Sequence, residues 1–262
     1  MAYMDINGHA TWIDDRGGDG EPVLLLHGGL SDSDPMFDVF AASLSDFHLL
    51  AFDRRGHGRS ADSPEPFSYL TMADETLAVL NSAVAGRTAH LVGWSDGANI
   101  AMIFALRHPE LVKSIVLIGG NYSPDGMMPP AASTGEHGAS DDVDTLAIVR
   151  AAYAERSPDG GDHFDEVIAK SFAMWAVEPT LNIADLEQIH QPALVLVGDD
   201  DVMTLAHTCS LYEALPAGQL CVVPGTSHFV AVEKPELVAH VVAVFLRDQA
   251  PPKTFMPMRR RR

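Results

Sequence analysis

Three polar side chains in this 262-residue chain have the types and positions that nucleophilic catalysis requires: Ser95, Asp201 and His228. A serine hydroxyl is a weak nucleophile until a base within hydrogen-bond reach takes its proton and an acid orients that base. Ser95 sits in Gly93-Trp94-Ser95-Asp96-Gly97, a G-x-S-x-G arrangement between an apolar run at 89–92 and an Ala- and Leu-rich run at 98–106. Glycine and serine are also ordinary turn residues. The motif gains meaning from its context, because the patterning predicts a buried strand before it and a helix after it. At such a joint, tiny residues two positions either side allow a sharp bend that holds the serine hydroxyl clear of the backbone. The helix start would also turn backbone N–H groups toward negative charge forming beside Ser95.

Twelve histidines compete for the role of base. His27, His57 and His90 belong to earlier turns and strand starts, and His108 precedes Pro109 at a helix end. His228 stands apart: it lies just past the last expected strand, 219–223, where crevices form at the carboxyl ends of parallel strands. The preceding strand, 193–198, is followed by Asp199, Asp200 and Asp201. Three adjacent carboxylates cannot all pack together without raising one another's pKa, so two are expected in water. Asp201 is the choice for the orienting acid, with Asp200 as fallback. An acid after the strand ending at Gly119 is the other possible layout, but Gly120 and Asn121 follow there and neither is a carboxylate.

These residues need a scaffold, and the order of elements supplies one. Asn7-Gly8 between 3–6 and 10–13 reads as a hairpin. Continuously apolar strands are expected at 22–26, 48–52, 89–92, 114–119, 193–198 and 219–223. Helices are expected at 35–44, 70–84, 98–106, 205–215 and 234–247. Apolar strands alternating with helices indicate a parallel sheet covered on both faces. The alternation stops between 121 and 191, where only helices at 142–156 and 163–176 are expected, joined to the sheet by a Pro-, Gly- and Ser-rich loop at 123–141. The expected division is therefore a core of 1–121 and 192–250, a helical cap or lid of 122–191 inserted over the sheet edge, and a disordered basic tail of 251–262 carrying Lys253 and Arg259 to Arg262.

His27-Gly28-Gly29, DRRGHGRS at 53–60, GWSDG at 93–97, VGDDD at 197–201 and GTSH at 225–228 together resemble the α/β-hydrolase fold superfamily, over roughly 3–248. The resemblance implies a mostly parallel eight-stranded sheet flanked by helices, with a helical cap insertion. It implies an oxyanion hole from the backbone N–H groups of Gly29 and Asp96, and a structural role for the DRRGHGRS turn. The GWSDG elbow resembles the branch of biphenyl-hydrolase-like and valacyclovir hydrolases, which implies that the Asp96 side chain holds a substrate ammonium; capping its own helix is the plainer role. Met127, Met128, Phe172, Met174 and Trp175 in the insertion are candidates to line an apolar pocket, or else to glue the lid to its core. Asp96, Met174 and Trp175 are thus the candidate substrate contacts. The expected activity is that of a serine hydrolase cleaving a small, mostly apolar carboxylic ester, or related acyl compound, through an acyl-enzyme. Cofactor-free haloperoxidases or perhydrolases and C–C bond hydrolases use the same triad, and a non-catalytic ligand receptor is the alternative from another class.

Composition limits the rest. Hydrophobic residues make up 47% and charged residues 20% of the chain, a globular profile. The formal charge of −19 argues against a nucleic-acid binder. Cys209 and Cys221 lack metal-ligand spacing and are expected as free thiols in a reducing compartment. No HExxH or phosphate-cradling glycine motif occurs, so neither metal nor dissociable cofactor is expected. The first 15 residues have neither a basic n-region nor an apolar h-region, and the apolar run 237–246 is about half the roughly 20 residues that span a bilayer. A cytoplasmic protein acting on a small molecule, without a membrane partner, is the expectation.

Overall fold

A computed structural model describes residues 1–128, 144–248 and 254–255. Asn7 and Gly8 both take positive φ, 55° and 81°, so the tight turn closes β1 (Ala2–Ile6) onto β2 (His9–Gly17) in antiparallel register, Ile6 opposite His9. The remaining strands are β3 (Pro22–Leu26), β4 (His48–Phe52), β5 (Ala89–Trp94), β6 (Val112–Ile118), β7 (Ala193–Gly198) and β8 (Gly218–Val223). They form one eight-stranded sheet in the order β1-β2-β4-β3-β5-β6-β7-β8, parallel from β4 to β8. Every residue of β3, β5 and β7 is buried, as a sheet covered on both faces requires.

Nine α-helices occur among the described residues: α1 (Asp34–Phe40), α2 (Tyr69–Val84), α3 (Asp96–Arg107), α4 (Thr145–Arg156), α5 (Phe164–Trp175), α6 (Ile183–Leu186), α7 (Leu205–Ala214), α8 (Val230–Glu233) and α9 (Pro235–Arg247). Alternate strand residues sort into two cores. Leu24, Leu26, Leu91 and Ile115 pack with Val79 of α2 and Ile100 and Phe104 of α3. Val23, Leu25, Val92 and Val116 pack on the opposite face with Phe37 and Phe40 of α1 and Val238 and Val242 of α9. The whole of α3 from Asp96 to Ala105 is buried, which fixes the helix that starts at the elbow.

The chain between β6 and β7 holds α4, α5 and α6 and touches the core through polar anchors. Lys170 of α5 lies 2.7 Å from Asp62, and Glu178 accepts the Tyr69 N–H at 2.8 Å. The expected helix at 142–156 begins at Thr145 among the described residues, capped by the Asp144 side chain on the Ala147 N–H. Its first two expected residues, most of the 123–141 loop and all of the 251–262 tail except 254–255 lie outside the described residues. Two short helices were not expected: α6, opened by a capping box at Asn182 and Asp185, and α8, directly after His228. Among the described residues no helix is long and apolar enough to cross a membrane.

Candidate active site

The bend at Ser95 is as sharp as the sequence demands. Ser95 has φ 54° and ψ −116°, a region that L-residues avoid at a cost of about 1–3 kcal/mol. Its N–H is held by the Ile118 carbonyl at 2.8 Å. A Cβ on Gly93 would lie 2.2 Å from the Gly97 carbonyl oxygen, and one on Gly97 would lie 2.0 Å from that of Leu26. Only glycine lets β5, α3 and β3 meet here.

At the carboxyl ends of β7 and β8 the loops converge on that serine. His228 Nε2 is 3.0 Å from Ser95 Oγ, and His228 Nδ1 is 2.8 Å from Asp201 Oδ1. A carboxylate can only accept, so Nδ1 carries the proton and Nε2 is left to accept from the serine O–H. The Asp201 side chain is fully buried and also accepts the Met203 N–H at 2.9 Å. The neighbouring acids are otherwise employed: Asp199 accepts the N–H groups of Gly225 and Thr226, and Asp200 is exposed. Trp94, which sequence reasoning passed over, ties the two halves together: its Nε1–H donates to the His228 carbonyl at 3.0 Å, and its ring meets Phe229 edge-on at 5.5 Å.

The backbone N–H groups of Gly29 and Asp96 have no acceptor among the described residues. Both residues line a cavity of 850 Å³ that opens onto Ser95 and His228. Its walls are mainly apolar, drawn from Leu30, Met127, Val149, Trp175, Met203 and Phe229. Asp32, Asp34 and Arg156 add charge to the wall; Arg156 Nε lies 3.2 Å from Asp34.

The Asp96 side chain is placed among polar groups of the protein itself. Its carboxylate is buried, with Oδ1 accepting from the Tyr69 hydroxyl at 2.7 Å and from Trp175 Nε1 at 2.9 Å. Its Oδ2 lies 4.0 Å from the fully buried Arg54 guanidinium. Among the described residues Oδ2 has no hydrogen-bond partner, and a substrate ammonium there would have to compete with Arg54. Burial nonetheless pushes the Asp96 carboxyl above the usual range, against the pull of Arg54. Among the insertion residues, Trp175 and Met127 line the cavity, whereas Met174 is only 3% exposed and packs into the core. Met174 is therefore no cavity contact, because the α5 turn that aims Trp175 at the cavity aims its neighbour inward. Phe172, 60% exposed, stacks edge-on against Trp175 from outside.

A family model described as "Alpha/beta hydrolase family" matches residues 23–241. The chain belongs to the alpha/beta hydrolase family. Similar proteins of this family include a putative carbamate hydrolase RutD from Caulobacter sp. (strain K31), 27% identical over 87% of this chain and 91% of its own length. Another is a 2-(acetamidomethylene)succinate hydrolase from Mesorhizobium japonicum, 27% identical over 86% of this chain and 88% of its own. Among solved structures, Est816, described as an N-acyl homoserine lactone degrading enzyme, superposes with TM-score 0.75 at 25% identity, covering 93% of this chain and 99% of that one. A meta-cleavage product hydrolase from Pseudomonas fluorescens IP01 shares the fold with TM-score 0.77 at 20% identity, covering 95% and 98%. This hydrolase is thus an enzyme whose relatives bear the names of several different hydrolases. Among its described residues no group of three or more His, Cys, Asp or Glu is placed to hold a metal ion.

Proposed function

We propose that the chain is a serine hydrolase that cleaves a small, mostly apolar carboxylic ester or related acyl compound through an acyl-enzyme. The carrying observation is the continuous chain of hydrogen bonds from Ser95 through His228 to Asp201, at 3.0 and 2.8 Å, mounted on a strained elbow. In this reading Ser95 Oγ attacks the carbonyl carbon while His228 Nε2 takes its proton. The carbonyl oxygen, now negative, is received by the N–H groups of Gly29 and Asp96, each such donor being worth roughly 100- to 1000-fold in rate. His228 then protonates the leaving oxygen, and the acyl group stays on Ser95. Water deprotonated by the same imidazole releases the acid. Asp201 holds the ring and balances its positive charge throughout.

The described residues of the segment 122–191, at 122–128 and 144–191, serve as a cap over the site. Of these, Met127, Val149 and Trp175 face the cavity, so closure would exclude water from the acyl-enzyme's surroundings. The apolar walls favour an uncharged acyl or alcohol group, and the named relatives extend the bond classes worth testing to carbamates and lactones.

The test is a panel of p-nitrophenyl esters of increasing acyl length, with carbamate and lactone members, run on the wild type and Ser95→Ala. Turnover of short and medium esters is expected, falling roughly 1000-fold or more in Ser95→Ala. Retained activity in that variant would contradict the assignment of the nucleophile.

A further inference from the structure

We infer that Arg54 is a positioning residue for the reaction: its buried guanidinium fixes the Gly28–Gly29 peptide so that the Gly29 N–H is presented to the oxygen of the carbonyl under attack. The inference rests on the reading of Ser95 as nucleophile. Arg54 lies just after β4 and is fully buried. One guanidinium nitrogen, Nη1, donates to the His27 carbonyl, and the other, Nη2, donates to the Gly28 carbonyl at 2.9 Å. The Gly28 oxygen also receives His27 Nδ1–H at 2.7 Å, while His27 Nε2 accepts the backbone N–H of Arg54 at 3.1 Å. Two donors thus converge on a single carbonyl.

That carbonyl belongs to the same amide as the Gly29 N–H. The peptide is trans, so its C=O and N–H point in opposite directions, and a carbonyl locked onto Arg54 sends the N–H the other way. The Gly28–Gly29 segment runs alongside the elbow: a Cβ on Gly28 would lie 3.4 Å from Ser95 Cβ. It needs a hold. The segment belongs to no strand or helix, and the next residue, Leu30, takes a left-handed φ of 54°, which opposes the native path by about 1–2 kcal/mol. On the cap side the space is closed by Trp175, whose Cζ2 would lie 2.5 Å from a Cβ on Gly29.

Asp96 completes the device as the counter-charge, its Oδ2 4.0 Å from Arg54 Nη2, which makes a buried guanidinium tolerable. Hydrogen bonding of a cation to the amide oxygen also polarises the amide and strengthens its N–H as a donor. A lysine could not copy this, since a single ammonium lacks the rigid fork that spans two carbonyls.

Arg54 is fully buried and does not line the cavity, so its effect should scale with the charge that develops on the carbonyl oxygen. We would measure kcat and KM of Arg54→Lys and of the charge-balanced Arg54→Met/Asp96→Asn on p-nitrophenyl acetate and on its thionoester analogue, whose sulfur accepts hydrogen bonds poorly. Circular dichroism would confirm folding, and the double variant removes both buried charges so that neither is left unpaired. The oxoester kcat is expected to fall about 10- to 100-fold with KM changed by less than about threefold, while the thionoester falls less than about threefold. Equal losses on both substrates, or no loss on either, would overturn the role. Ser95→Ala run alongside separates the two readings: an active Ser95→Ala would remove the nucleophile assignment, whereas an inactive one beside an unchanged oxoester-to-thionoester ratio would remove the role of Arg54 alone.

Discussion

At the scale of single residues, the site divides its labour among three neighbouring carboxylates by what each can reach. Asp199 braces the β8–His228 loop through two backbone N–H groups. Asp200 faces water, and Asp201 alone meets the imidazole, with its side chain withdrawn from solvent. A neutral amide at 201 could present its NH₂ to the ring, which would favour the tautomer protonated on Nε2 and leave no lone pair for the serine proton. Asp201→Asn is therefore expected to lower kcat roughly 1000- to 10000-fold with the fold retained, while Asp200→Asn leaves kcat within about twofold. Steady-state kinetics on a p-nitrophenyl ester reads both, and comparable losses in the two variants would contradict the division. The same scale shows where sequence reasoning stops. Ser95 and His228 announce themselves by type and by position after strands. Arg54 does not: it sits in a turn rich in other basic residues, and nothing in its spacing says that its guanidinium folds inward onto the His27 and Gly28 carbonyls.

At the scale of elements, the scaffold was legible wherever burial is uniform. The apolar strands β3, β5 and β7 carry no competing signal, and their expected bounds agree with the observed ones to within two residues. Gly93 and Gly97 were readable as conditions of the bend, and their clashing virtual Cβ atoms supply the reason. Local polar chemistry was harder to read. Helix α1 stops at Phe40, short of the expected 44, and α6 and α8 are each four residues, too short to show a period. In α5 the expectation that Met174 and Trp175 share a pocket fails on helical geometry, because adjacent residues on a helix lie about 100° apart and face different partners. One enters the core and the other reaches Asp96.

At the scale of the whole molecule, burial of neutral imidazoles links stability to pH. His57 is buried against Arg54, and desolvation, aided by that positive neighbour, lowers its pKa to about 3 from the ordinary 6.5. Burial, with Arg54 and His57 as neighbours, also holds His27 well below the ordinary imidazole range. Below about pH 6.5 the unfolded chain binds protons that the native chain refuses, so stability contributed by these groups is present at neutral pH and lost as pH falls toward 3. Buried Asp32, Glu75 and Asp96 have raised pKa values and act with the opposite sign, so a difference measurement is needed. Replacing His57 by phenylalanine is expected to reduce the slope of unfolding free energy against pH, between about pH 6 and 4, by up to about 1.4 kcal/mol per unit. Urea unfolding at several pH values checks this, and parallel slopes would refute it.

In the proposed reaction, one event is central: a proton passes from the hydroxyl of Ser95 to His228 as the hydroxyl becomes a nucleophile. A fluorophosphonate probe with peptide-level mass spectrometry reads that event directly. The wild type is expected to take one adduct per chain, on the peptide bearing Ser95, with labelling slowed at least about 100-fold in His228→Ala. An adduct on another residue, or undiminished labelling of Ser95→Ala, would contradict the account.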